Sequence, residues 1–235
     1  MKAICLTYDR NIPVLKYVIY TYFKYWPDNP FVFHIPWNKE KPTDLVKKYG
    51  EDKIKLIQTG SSVKDTMRGL LDGSDKYDNL WWCQDDKYIL GFKDVNFIKK
   101  CIDSSSGFIA GIKFTKNADF EKGFSDTRTF FSSDIFHRRK NLHQIFQPQI
   151  IRYDILQALY INNGLEENFP LSKLYPIMAS DLPENIYMLN SLENLISIGE
   201  TLDQGRLTHN VIQDMTEDGF IIPDLPECNK EMIYM

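Results

Sequence analysis

Cysteine is scarce in this chain. Four thiols in 235 residues, at Cys5, Cys83, Cys101 and Cys228, are too few and too scattered to make a disulfide scaffold. No CxxC pair occurs among them, which removes zinc-ribbon and thioredoxin-like readings. Three of the four sit among apolar neighbours, as the reduced thiols of a cytoplasmic protein do. Long apolar runs are lacking as well. The stretch Tyr17–Phe23 is bracketed by Lys16 and Lys24, whereas a bilayer span needs roughly 20 apolar residues. No transmembrane segment is expected. Nor is a secretory signal, because Asp9 and Arg10 interrupt the first apolar run and no small-residue cleavage site follows. A cytoplasmic location is expected, with peripheral attachment to a membrane as its variant.

Several motifs are missing too. There is no GK[ST] P-loop, GxGxxG, GxSxG or HExxH, so each of those chemistries is excluded. Charge of one sign is not dominant. Lys and Arg number 28 against 32 Asp and Glu, a net charge of −4. Without a clustered basic footprint, nucleic acid is not an expected partner. What the chain does have is apolar and aromatic mass, 43% and 14% of its residues, enough for a sizeable core. The length suits a single domain over residues 1–235.

The first hundred residues alternate strand and helix signals. Ala3–Thr7 is a short apolar run. Pro13 then opens a helix whose apolar positions Val14, Val18, Tyr22 and Trp26 recur every four residues until Pro27. Phe31–Ile35 and Ile54–Ile57 read as further strands, with a helix at 42–49 between them and Gly50 as its stop. Ser62 and Asp65 form a capping-box pattern that opens a helix to Leu71. Leu80–Cys83 is a fourth buried run. Later signals are a helix at Val95–Ile102, a strand at Gly107–Phe114, a polar loop at Asn117–Thr127, an extended Phe130–Phe136 and helical spacing over Arg152–Ile161. The last sixty residues read as irregular.

Strands separated by helices predict a mainly parallel sheet covered on both faces. Such sheets bind ligands beyond the carboxyl ends of their strands. Two polar clusters sit there, Tyr8-Asp9-Arg10 and Asp85-Asp86. Two carboxylates ~4 Å apart repel by about 4 kcal/mol at an effective dielectric near 20. Solvent, basic groups or a divalent cation must offset that repulsion. Mg²⁺ and Mn²⁺ take one or two carboxylates together with substrate phosphate oxygens. Adjacent aspartates also start turns and cap helices without any ligand.

The order strand–TYDRN–helix–strand–helix–strand–SSVKDTMRGLLDG–strand–QDDKY resembles the GT-A-fold glycosyltransferases that use nucleotide sugars. It does so over roughly residues 1–115. The family's acidic motif, commonly DxD, ends the fourth strand and holds Mn²⁺ or Mg²⁺ against the donor diphosphate. Here an adjacent Asp pair stands in its place, and no strict DxD occurs. The resemblance implies a GT-A-like, Rossmann-like α/β fold: a mixed, mainly parallel sheet flanked by helices. It implies a nucleotide-sugar half at about 1–115 and an acceptor half at about 116–235. The implied activity is divalent-metal-dependent transfer of a sugar from a UDP- or GDP-sugar to a hydroxyl acceptor, in glycan or polysaccharide assembly. Asp85 and Asp86 are the expected metal ligands, with Asp85 also facing the donor. Thr7, Tyr8, Asp9 and Arg10 hold the positions of the loop that meets base and ribose. Tyr8 is suited to stacking, Asp9 to accepting from a base edge and Arg10 to phosphate. Pro36-Trp37-Asn38 replaces the family's usual Asp after the second strand, where Trp37 offers stacking instead. Lys64 and Arg68, at i and i+4 on one helix, are a basic pair for the diphosphate or a solvated face.

An inverting transferase needs a general base on the acceptor hydroxyl. By the resemblance this is an acid in the second half near a helix start. Asp154, just ahead of the stripe Ile155, Leu156, Leu159 and Tyr160, matches that place and is equally suited to capping. Glu166, Glu167 and Asp134 are the competitors. His34 reads as a core residue and His209 as a surface one, although His209 is also a candidate third metal ligand. Arg138-Arg139-Lys140 reads as a solvated turn. The rival functions are a non-catalytic binding protein on the same fold and a sugar nucleotidyltransferase. The latter usually carries a Gly-rich loop after its first strand, whereas 7–11 has no glycine.

Overall fold

The computed structural model describes residues 1–105, 109–116, 135–139, 141–142, 145–162, 178, 182 and 186–228. In chain order the first elements are β1 (Lys2–Leu6), α1 (Ile12–Tyr25), β2 (Val32–Trp37), α2 (Thr43–Tyr49), β3 (Ile54–Gln58) and α3 (Val63–Leu71). Then come β4 (Asn79–Gln84), β5 (Lys87–Phe92), α4 (Val95–Ser104), β6 (Ile109–Lys113) and β7 (Phe136–Arg138). The second half adds β8 (Gln149–Arg152), α5 (Tyr153–Gln157), a π turn over Ala158–Asn162, β9 (Tyr187–Ser191) and β10 (Ile196–Glu200). It ends with the short pair β11 (Leu202–Asp203) and β12 (Arg206–Leu207) and with α6 (His209–Glu217).

Eight strands form one sheet in the order β3-β2-β1-β4-β8-β6-β9-β7. The pairings of β1, β2, β3 and β4 are all parallel, as is β6 with β9. Only β8 and β7 run against the rest. This is the mixed, mainly parallel sheet expected from the sequence. Its order turns back at β1, with β2 and β3 to one side and β4 to the other, which makes a crevice at the strands' carboxyl ends.

Helices cover both faces. On one side α1, α4 and α6 pack with Trp81, Cys83, Ile112 and Ile150. On the other α3 and α5 pack with Ile4, Trp82, Ile151 and Met188. Central strands covered on both sides are apolar without alternation, and Leu80, Trp81, Trp82 and Cys83 are accordingly all buried. The four cysteines are free thiols, and Cys5 and Cys83 face each other across β1 and β4 at 3.0 Å. The capping box is present: the Asp65 N–H donates to Ser62 Oγ at 3.0 Å, and the Ser62 hydroxyl donates to the Asp65 carboxylate at 2.8 Å.

The stretch after Asp86, for which the sequence reading gave no element, is a strand, β5, which pairs not with the main sheet but with β10, more than a hundred residues away. Two expectations need correction. Among the described residues, the last sixty hold four strands and a helix rather than an irregular tail. Arg139 is buried, not part of a solvated turn. The proposed loop at Asn117–Thr127 and most of Phe130–Phe136 lie outside the described residues, as do Asp134, Lys140, His143, Glu166 and Glu167.

The indole N–H of Trp81 donates to the Tyr22 hydroxyl at 2.9 Å inside the α1 face. Tyr22→Phe strands that buried donor, at a cost of about 1–3 kcal/mol. Urea unfolding is expected to show the loss, and an unchanged midpoint would contradict it.

Candidate active site

The loops that follow β1, β2, β3 and β4 are tied together at one rim. The Asp9 carboxylate accepts from the backbone N–H of Asn38 at 2.9 Å and of Lys39 at 2.7 Å. The Asn38 side-chain amide donates to the carbonyls of Thr59 at 2.8 Å and Gly60 at 2.7 Å. The Thr7 hydroxyl donates to Asp85 Oδ2 at 2.6 Å. The β1 loop and the acidic turn after β4, 78 residues apart in sequence, therefore share one crevice. That juxtaposition follows from the strand order, because β1 and β4 are neighbours with Leu6 opposite Gln84.

The turn itself is gripped from the second half of the chain. Thr201, which follows β10, donates its N–H to the Asp86 carbonyl at 2.9 Å and its hydroxyl to the Asp85 carbonyl. Thr201 carries no sequence motif, and only the pairing of β5 with β10 brings it here. Asp85 is 8% exposed. Burial pushes its carboxyl up to about 6, with the Asp86 charge adding to the rise and hydrogen bonds from Thr7 and Asn11 opposing it. Burial also raises Asp86, against the pull of Lys87. The Lys87 ammonium lies 3.2 Å from Asp86 Oδ2 and 3.1 Å from Glu200 Oε1. Burial pulls Lys87 down, yet the two carboxylates outweigh it and hold the ammonium above its usual value.

Tyr8 is 44% exposed on this rim, and Arg10 is exposed beside it. Asp9 uses both carboxylate oxygens on the β2–α2 connection, so it braces the rim. Arg68 turns to Asp65 in its own helix at 3.3 Å. No contact joins Lys64 or Arg68 to the acidic turn among the described residues. His209 is exposed at the start of α6.

Asp154 belongs elsewhere. Strand β8 runs against β4 with Arg152 opposite Asn79, the first residue of β4, and the Tyr153 N–H donates to the Asp78 carbonyl. Asp154 therefore sits at the amino end of β4. Asp85 lies six residues further along that strand, about 20 Å away at ~3.3 Å per residue. The Asp154 carboxylate is forked onto Arg152, at 2.7 Å to Nε and 2.8 Å to Nη2. Its place at a helix start reflects this local pairing, and the base role expected for it is not supported.

Sequence reading passed over a polar row under the crevice. Trp82, Gln149, Lys113 and Asn190 lie in direct register across β4, β8, β6 and β9, and all are buried. Arg139 donates to Gln149 Oε1 at 2.8 Å. Burial, followed by the Arg139 charge, holds Lys113 down to about 7. The one visible signal was a lysine closing an otherwise apolar strand.

Carboxylates are the ligand type that a hard divalent cation takes, and here Asp85 is engaged by Thr7 and Asp86 by Lys87. Two carboxylates at a strand end, one of them with its side chain a third exposed, supply what Mg²⁺ or Mn²⁺ takes from a protein when phosphate and water complete the shell. Among the described residues no group of three His, Cys, Asp or Glu side chains is placed to hold a metal. Also among the described residues, no helix is long and apolar enough to cross a membrane.

Comparison with known proteins finds structural likeness at low identity. Staphylococcus aureus TarS 1–349 shares 13% identity at a TM-score of 0.45, covering 81% of this chain and 59% of its own. LgtC solved with donor and acceptor sugar analogs shares 9% at 0.45, covering 98% and 87%. The Streptococcus pneumoniae glycosyltransferase GlyE in its apo form shares 12% at 0.43, covering 78% and 45%. The chain thus spans under two thirds of TarS 1–349 and under half of GlyE. No family model matches the sequence, and no curated protein matches it.

The raised carboxyl of Asp85 has a stability consequence. The folded chain keeps a proton there that the unfolded chain releases near pH 4, so this group's contribution falls as pH rises from about 4 to about 6. Above that window the ionised carboxylate costs about 3 kcal/mol relative to the neutral acid. Asp85→Asn is expected to raise unfolding stability at pH 8 by about 1–3 kcal/mol and to change it little at pH 4. Urea titrations at both pH values check this, and equal effects at the two would contradict it.

Proposed function

We propose that the chain is a glycosyltransferase that moves a sugar from a nucleotide-diphosphate donor to a hydroxyl acceptor. The observation that carries this reading is the carboxylate pair Asp85–Asp86 at the end of a central strand, joined through Thr7 to the loop after β1. The nucleotide lies along that loop. Tyr8 offers an exposed ring for the base, and Arg10 an exposed guanidinium for phosphate. Asp86, with Asp85 beside it, holds Mn²⁺ or Mg²⁺. When bound, the cation supplies Lewis-acid stabilisation of the departing nucleotide diphosphate.

The buried Asp85 gives the site its pH character. Its carboxylate is needed to hold a cation, and burial keeps it protonated at acidic pH. Thr201 fixes the backbone of the acidic turn, so both carboxylates are held in place before any ligand arrives. The acceptor half is formed by the strands from β6 onward, with the buried polar row as its floor. With Asp154 at the far end of β4, an inverting course loses the base it rested on. A UDP-sugar is favoured over a GDP-sugar only by the family resemblance, and the acceptor is placed no more finely than a glycan or other hydroxyl compound. The protein is read as acting in the cytoplasm.

Asp86→Ala is expected to abolish Mn²⁺-dependent release of nucleotide from a panel of UDP- and GDP-sugars while leaving the thermal midpoint intact. Asp154→Asn is expected to leave that release within about twofold, since a pair remote from the crevice contributes only local stability. Full activity in Asp86→Ala would overturn the reading. Binding of nucleotide without turnover in the unaltered protein would favour a non-catalytic binder instead.

A further inference from the structure

The two tryptophans of β4 differ in one respect. On the α1 face, Trp81 donates to the Tyr22 hydroxyl. On the α3 face, among the described residues, Trp82 Nε1 has no hydrogen-bond partner, and neither has the hydroxyl of Tyr160, whose ring lies 5.5 Å from that of Trp82. Both residues are 0% exposed. A buried polar group left without a partner costs about 1–3 kcal/mol, and native folds rarely leave one so. Other buried atoms among the described residues, such as Trp37 Nε1 and Tyr49 Oη, are left so as well, but these two belong to rings packed on each other, which points to a shared partner that arrives with a ligand. Tyr160 stands in the π turn Ala158–Asn162, a backbone irregularity that often marks functional positions. Trp82, on β4, lies three residues before Asp85, which places the packed Trp82–Tyr160 pair beneath the acidic turn. The pair therefore underlies the acidic end of the proposed donor site.

Resting on the donor-binding reading above, we propose that Tyr160 and Trp82 supply a neutral pair of hydrogen-bond donors for a phosphate oxygen of the bound nucleotide. The chemistry favours phosphate. An indole N–H only donates, and the tyrosine hydroxyl has a proton to place. A non-bridging phosphate oxygen only accepts, whereas a ribose or sugar hydroxyl brings a proton of its own. Next to Asp85 and Asp86, a further lysine or arginine would compete with a cation for the carboxylates. Neutral donors add bonds to an anion without changing the charge balance, and hydrogen bonds to an ionised acceptor are about twice as strong as neutral ones.

The test is Tyr160→Phe, which removes one oxygen. Without ligand, its stability in urea is expected to equal or exceed that of the unaltered protein, the opposite sign to Tyr22→Phe. With Mn²⁺ present, its affinity for UDP or GDP is expected to fall about tenfold, the loss of one hydrogen bond to a charged group. The same loss is expected with the 2′-deoxy nucleotide. Unchanged affinity would overturn the proposal, as would a ligand-free variant that is less stable or fails to fold, because the hydroxyl would then be serving the fold. A loss that vanishes with the 2′-deoxy nucleotide would assign the contact to ribose and overturn the phosphate assignment. If the unaltered protein binds neither nucleotide, the donor-binding reading fails first and this proposal falls with it. Normal binding by the unaltered protein with equal binding by the variant overturns this proposal alone.

Discussion

The Thr7 hydroxyl and the Asp85 carboxylate meet at 2.6 Å across two neighbouring strands, away from bulk water. A carboxylate in such a place is costly to ionise, and this contact makes ionisation feasible without adding charge. It also fixes the geometry of the rim. The loop carrying Tyr8 and Arg10 cannot drift from the acidic turn while the bond holds. From the other side, Thr201 pins the backbone carbonyls of the same turn. Residues from both halves of the chain thus converge on two aspartates, an arrangement more elaborate than a strand-end turn needs.

The rim rests on a sheet whose middle is buried and packed with aromatic rings. Side chains from both strands of the β1–β4 pair are buried among aromatic rings: Trp81 lies 4.5 Å from Phe31 and 5.8 Å from Phe114, ring centre to ring centre. Close-packed interiors transmit displacement rather than absorb it. A site at the end of such strands is held by the core beneath it, and its acids are therefore preorganised for charge. The buried polar row Gln149–Lys113–Asn190 interrupts this apolar floor at the amino end of the antiparallel β8 and the carboxyl end of β6, under the crevice.

The first half of the fold was legible in the sequence because its determinants are local. Pro13 and Pro27 bracket α1, Ser62 and Asp65 cap α3, and an unbroken apolar run betrays β4 as a strand covered on both faces. The place of Asp85 and Asp86 followed from the same signals. What lay beyond reach was non-local. Lys87–Phe92 has a strand's composition, yet its partner β10 is a hundred residues on, so neither half announces the pair. The reversed direction of β8 sends Asp154 to the end of the sheet opposite the acidic turn, and periodicity carries no information on strand direction. Tyr160 was read as one more apolar position in a helical stripe. Only the absence of a partner for its hydroxyl, visible in three dimensions, distinguishes it.

The central claim is that the acidic turn binds a nucleotide diphosphate through a divalent cation. Calorimetric titration of UDP and of GDP into the protein at pH 7.5, once with Mn²⁺ and once with EDTA, tests it most directly. The account predicts saturable binding of at least one nucleotide with Mn²⁺ and none with EDTA. Equal binding in both conditions, or none in either, would contradict it.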